Sequence, residues 1–222
     1  MAMSRYLEIE RNLQDVHERI SKAAMRSGRD VSELTVIAVT KNFPVSDIEI
    51  LKALGISNYG ENRDSEAVPK AAVVKGTWHF QGQIQSNKLK SICSWSQVIH
   101  SLDNLRHFRM IERCATHPLQ IFLQVNLDGA KNRGGAQIQE LFSIAQAIEA
   151  SSMHNLAGLM AVAPLGGNPK TAFSRLRQMH SNFLKEFPRA TALSAGMSSD
   201  FEEAISHGAT HLRIGSQILG SR

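Results

Sequence analysis

The 222 residues are 42% hydrophobic and 20% charged, ordinary globular composition with enough chain to bury one full core. A formal charge of +5 suits an anionic ligand, but scattered Lys and Arg, two Trp and two Tyr without basic interleaving argue against nucleic acid. No apolar run nears the roughly 18 residues of a membrane span, and the charged N-terminus lacks a signal-peptide stretch.

Cys93 and Cys114 form no CxxC pair and have no metal-type spacing, so free thiols in a cytoplasmic protein are expected. The first segment predicts a helix: Tyr6, Ile9, Leu13, Val16, Ile20 and Ala23 share one face, and Gly28 ends it. From there strand and helix patterns alternate. Residues 35–40 have buried-strand character, and a capping-box pattern from Ser46 to Glu49 opens a helix ending at Gly55. Further strands are predicted at 56–59, 78–81, 98–101, 119–125, 156–162, 191–194 and 211–214. A basic helix runs through Lys88 and Lys90, and Asp103 caps one carrying Leu105, Phe108 and Ile111. Leu141, Ala145 and Ile148 mark another, and Phe173, Leu176 and Phe183 the next. Asp200 caps a last one that stops at Gly208.

Eight strands interleaved with helices predict an α/β fold, a single (β/α)8 TIM-type barrel domain over residues 1–222 with an additional N-terminal helix. The rival, an open doubly wound sheet, calls for a glycine-rich loop after the first strand, and Lys41-Asn-Phe-Pro44 is not one. Little chain remains after the eighth strand, so the N-terminal helix is expected to help cover the barrel.

In such a barrel the chemistry gathers at the carboxyl ends of the strands. Lys41 directly succeeds an apolar strand, where partial desolvation would leave a nucleophilic amine able to form a Schiff base. A solvated strand-end lysine is the plain alternative. The loops after strands seven and eight read Gly196-Met197-Ser198-Ser199-Asp200 and Arg213-Ile214-Gly215-Ser216. Each offers glycine for close backbone approach and serine at a helix start, as a phosphate site requires. Ser198 or Ser199 could equally be a helix cap, and Gly215-Ser216 a turn. Arg213 lies inside the eighth strand and could project into the barrel, with Glu61 as a candidate salt-bridge partner.

An ordered set of motifs spans positions 38 to 215. They are Ala38-Val-Thr-Lys41, Tyr59-Gly-Glu-Asn62, Trp78-His-Phe-Gln-Gly-Gln-Ile-Gln-Ser-Asn-Lys88, Ile99-His-Ser-Leu-Asp103, Gln124-Val-Asn126, Gly158-Leu-Met160, Gly196-Met-Ser198 and Arg213-Ile-Gly215. In this order the set resembles the pyridoxal phosphate homeostasis family, single-domain relatives of the barrel of bacterial alanine racemase. The resemblance implies pyridoxal 5′-phosphate (PLP) held as a Schiff base on Lys41. It also implies phosphate contacts from Ser198 or Ser199, Gly215 and Ser216, with Arg213 facing the pyridine nitrogen and Asn62 beside the ring. His79 and Ser86-Asn87-Lys88 belong to a family motif without an assigned role, and His79 reads as a satisfied barrel histidine. Three positions depart from the family's usual pattern: Tyr59 replaces phenylalanine, Gln81 an aliphatic residue, and Arg133 a lysine.

A permanent cation at the pyridine nitrogen would disfavour ring protonation and weaken the cofactor as an electron sink. Racemisation also needs a base on each face of the substrate α-carbon. Lys41 can be one, Tyr59 is the only tyrosine near the site, and the racemases' tyrosine-bearing extra domain has no counterpart in the remaining sequence. The expected function is therefore intracellular PLP homeostasis without turnover, by a monomer that delivers PLP to PLP-dependent apo-enzymes. An amino-acid racemase using Lys41, and a lysine Schiff-base aldolase with a carboxylate or tyrosine shuttle, are the alternatives.

Overall fold

The computed structural model describes residues 2–130 and 133–221, and in it eight parallel strands close on one another in chain order. They are β1 (Thr35–Val39), β2 (Asn58–Glu61), β3 (Thr77–Phe80), β4 (Val98–Leu102), β5 (Gln120–Gln124), β6 (Asn155–Met160), β7 (Ala192–Met197) and β8 (His211–Ile214). Pairing of β8 with β1, Thr35 opposite His211 and Ile37 opposite Arg213, completes the ring. Closure satisfies both edges of the sheet, and the open doubly wound alternative is excluded.

Helices cover the outside: α1 (Ala2–Arg26), α2 (Val45–Ala53), α3 (Asp64–Val73), α4 (Leu89–Trp95), α5 (Leu105–Cys114), α6 (Ile138–Glu149), α7 (Pro169–Glu186), α8 (Phe201–Ser206) and α9 (Ser216–Leu219). With only four residues, α9 cannot screen its side of the barrel. The predicted face of α1 does so, burying Ile9, Leu13, Val16, Ile20 and Ala23. Each of the larger aliphatic chains contributes about 1.5–3 kcal/mol of transfer free energy. Asn12 Nδ2 donates to Ile218 O at 3.1 Å, and Arg19 Nε donates to Glu202 Oε1 at 2.6 Å, fixing α1 on α9 and α8.

Three expected helix starts are corrected. α2 begins at Val45 with Pro44 in the cap position, because Pro44 at φ −75° supplies the extended entry before Ser46 is reached. Asn104, not Asp103, caps α5 by accepting from His107 N–H at 2.9 Å, while Asp103 accepts from Gly135 N–H in the loop after the neighbouring β5. Asp200 precedes α8, but its carboxylate turns back to accept from Met197 N–H at 2.7 Å. Among the described residues no helix is long and apolar enough to cross a membrane.

Candidate functional site

At the carboxyl end of the strands, a cavity of about 430 Å³ is lined by Lys41, Asn62, Ser198, Ser199, Arg213, Gly215 and Ser216. Gln81 and the apolar Val39, Met160, Val162 and Met197 complete the lining.

Lys41 reaches this cavity from a turn rather than from the strand itself. β1 ends at Val39, and the buried residue after it is Thr40, whose hydroxyl donates to Glu61 Oε1 at 2.6 Å. The chain then leaves the barrel wall, so the Lys41 side chain is exposed on the cavity rim. The expectation of a desolvated amine is corrected accordingly.

Asn62 comes directly after β2, the strand paired with β1. Its Oδ1, and Nε2 of neighbouring Gln81, are buried with no hydrogen-bond partner. Such orphans are rare in folded proteins and mark a place where a polar group belongs. The Asn62 backbone is fixed by Gly82, where an added Cβ would sit 2.0 Å from the Asn62 carbonyl oxygen.

The loops after β7 and β8 meet at the third side. Gly215 N–H donates to Ser198 Oγ at 3.3 Å, joining the two loops into one edge. A Cβ at Gly215 would stand 3.2 Å from Val39 O, so glycine lets this loop lie close against β1 and beside Lys41.

Arg213 projects inward as expected and is buried, but Glu61 is not its partner. Its Nη1 donates to Ser194 Oγ at 2.6 Å and its Nη2 to Ala161 O at 2.9 Å. Glu61 is taken by Lys70, whose buried ammonium donates to Glu61 Oε1 at 2.7 Å and to Thr40 O at 2.9 Å. Lys70 lies on α3, a helix the sequence pattern does not announce. Burial lowers the Arg213 guanidinium to about 10, against an opposing pull from Asp200, so it stays charged at neutral pH.

Tyr59 is absent from the cavity. It is fully buried against Trp78, and its hydroxyl donates to Ile56 O at 2.6 Å. His79 is a satisfied barrel histidine, bonded to His100 at 2.9 Å and Asn58 at 3.0 Å. Arg133 bridges Asp128 to the carbonyls of Val162 and Ala163, stapling the loops after β5 and β6. Ser86 contacts His107 at 3.2 Å, and Lys88 lines an adjoining hollow of about 300 Å³ with Arg63 and Asp64, which shares Asn62 with the cavity. Cys93 and Cys114 are free thiols.

The family model described as alanine racemase, N-terminal domain, matches residues 9–222. A Mycobacterium leprae (strain TN) protein named pyridoxal phosphate homeostasis protein is 36% identical, covering 96% of this chain and 92% of its own. The Escherichia coli (strain K12) protein of the same name is also 36% identical, with 97% of each chain covered. Among solved structures, PipY of Synechococcus elongatus PCC7942 with PLP bound matches at a TM-score of 0.82 and 30% identity, over 96% of this chain and 100% of that one. The chain belongs to the alanine racemase N-terminal domain family, alongside the barrels named pyridoxal phosphate homeostasis protein.

Proposed function

We propose that this protein binds PLP and serves intracellular PLP homeostasis, holding the cofactor through the Lys41 amine without turnover of its own. One observation carries the proposal. Among the described residues lining the cavity the ionisable groups are Lys41 and Arg213, with no carboxylate, histidine, cysteine or tyrosine.

The lining fits the cofactor at each of its functional groups. Lys41 offers an exposed amine for the aldehyde. Ser198, Ser199 and Ser216, with the backbone N–H groups opening α9 and the close approach allowed by Gly215, would grip the phosphate. Arg213 would face the pyridine nitrogen. The unpartnered Asn62 Oδ1 and Gln81 Nε2 would offer polar groups to a ring substituent.

Bound PLP supplies a reactive aldehyde and an electron-accepting ring, and the surrounding side chains decide which reactions are open to it. Guanidinium has five donors and no acceptor, so Arg213 can donate to the ring nitrogen but cannot hydrogen-bond a protonated one. That weakens the ring as an electron sink. Proton transfer at a substrate carbon further needs a positioned acid and base. Lys41 can serve as one, and no second group lines the cavity among the described residues. The racemase alternative loses its candidate in Tyr59, whose hydroxyl is committed to Ile56 O. The aldolase alternative lacks the carboxylate or tyrosine shuttle beside the lysine. A single barrel domain over residues 1–222, acting as a cytoplasmic monomer and delivering PLP to PLP-dependent apo-enzymes, completes this reading.

The test is to incubate the PLP-loaded protein with L-alanine and monitor D-alanine by chiral chromatography. No turnover above a Lys41→Ala control is expected. Appreciable turnover that disappears in Lys41→Ala would make the protein a racemase.

A further inference from the structure

Beneath the cavity, the lumen of the barrel contains a file of polar side chains contributed by five strands. Arg213 Nη1 of β8 donates to Ser194 Oγ of β7 at 2.6 Å. Ser194 Oγ lies 2.8 Å from His100 Nδ1 of β4, and His100 Nε2 lies 2.9 Å from His79 Nδ1 of β3. His79 Nε2 ends the file 3.0 Å from Asn58 Oδ1 of β2. Arg213, Ser194, His100 and His79 are all buried, and Asn58 is half-buried.

The chemistry of the first member fixes the first bond, and the acceptors at hand give the others their sense. A guanidinium only donates, so Ser194 Oγ accepts from it and spends its own proton on His100 Nδ1. His100 then carries its proton on Nε2 and donates to His79 Nδ1. His79 in turn carries its proton on Nε2 and donates to the Asn58 carbonyl oxygen. The Asn58 amide agrees, since its Nδ2 is the atom turned towards Ser57 Oγ. The reverse sense would leave the Ser194 proton without the acceptor that His100 provides, at a position with no exposure.

Both imidazoles in this arrangement are neutral. Burial acts the same way, depressing His79 to about 3 and His100 well below its ordinary range. His100 also stacks on Phe122 with ring centroids 4.5 Å apart, which holds its plane. Arg213 therefore keeps its full positive charge. A carboxylate at Ser194 or His100 would have neutralised it and competed for its remaining donors.

We propose that Ser194, His100, His79 and Asn58 are positioning residues for Arg213, a one-way hydrogen-bonded file that presents to the cavity a fixed cation with no carboxylate bonded to it. That Arg213 then faces a cofactor ring rests on the PLP reading above. The file itself does not, and the two are separable by experiment.

Two-bond ¹H–¹⁵N correlation spectra of [¹⁵N]histidine-labelled protein report the tautomers directly, without added cofactor and then saturated with PLP. His100 and His79 are expected as neutral Nε2–H tautomers at pH 7 in both samples. Ser194→Ala should release the His100 tautomer and shift the absorption maximum of bound PLP while attachment at Lys41 persists. Ser194→Thr, which keeps the hydroxyl, should restore both signals. An Nδ1–H tautomer or an imidazolium at either histidine would overturn the file. So would an absorption maximum indifferent to Ser194→Ala. The tautomer measurement needs no variant and decides the matter even where Ser194→Ala does not fold. If the parent protein takes up no PLP, the homeostasis reading falls, and the tautomers alone still uphold or refute the file.

Discussion

At the amino end of the strands a hollow of about 850 Å³ opens beside Gln120, Phe122, Asn155 and His211, whereas the cavity at the carboxyl end measures about 430 Å³. The larger hollow has its charges matched, with Arg189 Nη2 paired to Glu149 at 2.7 Å. His154 Nε2 is its unpartnered buried atom, on a ring whose Nδ1 accepts from Leu119 N–H. The smaller cavity joins an exposed lysine, a buried arginine with no carboxylate bonded to it, and two orphaned amide atoms. Volume reflects how loops happen to splay. Unmet polar groups and unbalanced charge are what a ligand would repair, and they gather at the smaller opening.

Alanine substitution at each of the two ends should expose this difference most sharply at Lys41. Lys41→Ala is expected to abolish covalent retention of PLP through gel filtration, with stability by urea denaturation held within about 0.5 kcal/mol because the side chain is exposed. Arg189→Ala, at the other end, should leave retention intact. Equal loss in both variants would erase the distinction.

The next largest effect belongs to the support under the mouth. Lys70→Met strands the buried Glu61 carboxylate and is expected to cost about 3–5 kcal/mol in urea denaturation. Adding Glu61→Gln to it should recover much of that loss. A cost under about 1 kcal/mol would mean that the pair is solvated rather than buried.

Acid should act on the lumen before the mouth. Burial depresses His79 to about 3 and His211 to about 4, from an ordinary value near 6.5. The unfolded chain takes up these protons as pH falls below about 6.5 while the folded chain resists. Stability is therefore whole above that pH and declines towards pH 4, by up to about 1.4 kcal/mol per pH unit for each imidazole. Urea midpoints that stay level between pH 7.5 and 4.5 would contradict the dry lumen.

The smallest effect is expected at the outer wall. Tyr59→Phe removes the bond to Ile56 O and should cost about 1 kcal/mol, leaving PLP uptake unchanged. A fall in PLP affinity would return Tyr59 to the site.

Much of the barrel is legible in the sequence because strand burial imprints itself locally. The eighth strand is found at the predicted 211–214, and the first and fourth differ by one residue at an end. The second shifts from 56–59 to Asn58–Glu61, since Gly60 and Glu61 look like loop residues yet pair with β3. The seventh runs on through Ala195, Gly196 and Met197 for the same reason. α3 escapes a periodicity search because Pro69 stands inside it and its apolar residues are small. Without α3 the sequence gives no reason to match Lys70 to Glu61, and Arg213 stands as that carboxylate's nearest candidate.

The site is legible as a set of strand-end residues, but its internal wiring is not. Asn58, His79 and His100 recur every 21 residues on three successive strands, but Ser194 stands 94 residues beyond His100 and that spacing does not reach it. The available signal is a polar residue set among apolar ones, as His100 in Val98-Ile-His-Ser-Leu102 and Ser194 in Ala192-Leu-Ser-Ala195. Gln81 stands out in the sequence only as a departure, whereas its orphaned Nε2 places it in the cavity wall.

Where the aldehyde of PLP is held decides between a Lys41 site and any other. Reducing the PLP-saturated protein with borohydride and mapping the added mass by peptide mass spectrometry locates it. The modification is expected on Lys41 alone, and its appearance on Lys70 or Lys88 with Lys41 unmodified would contradict the Lys41 site.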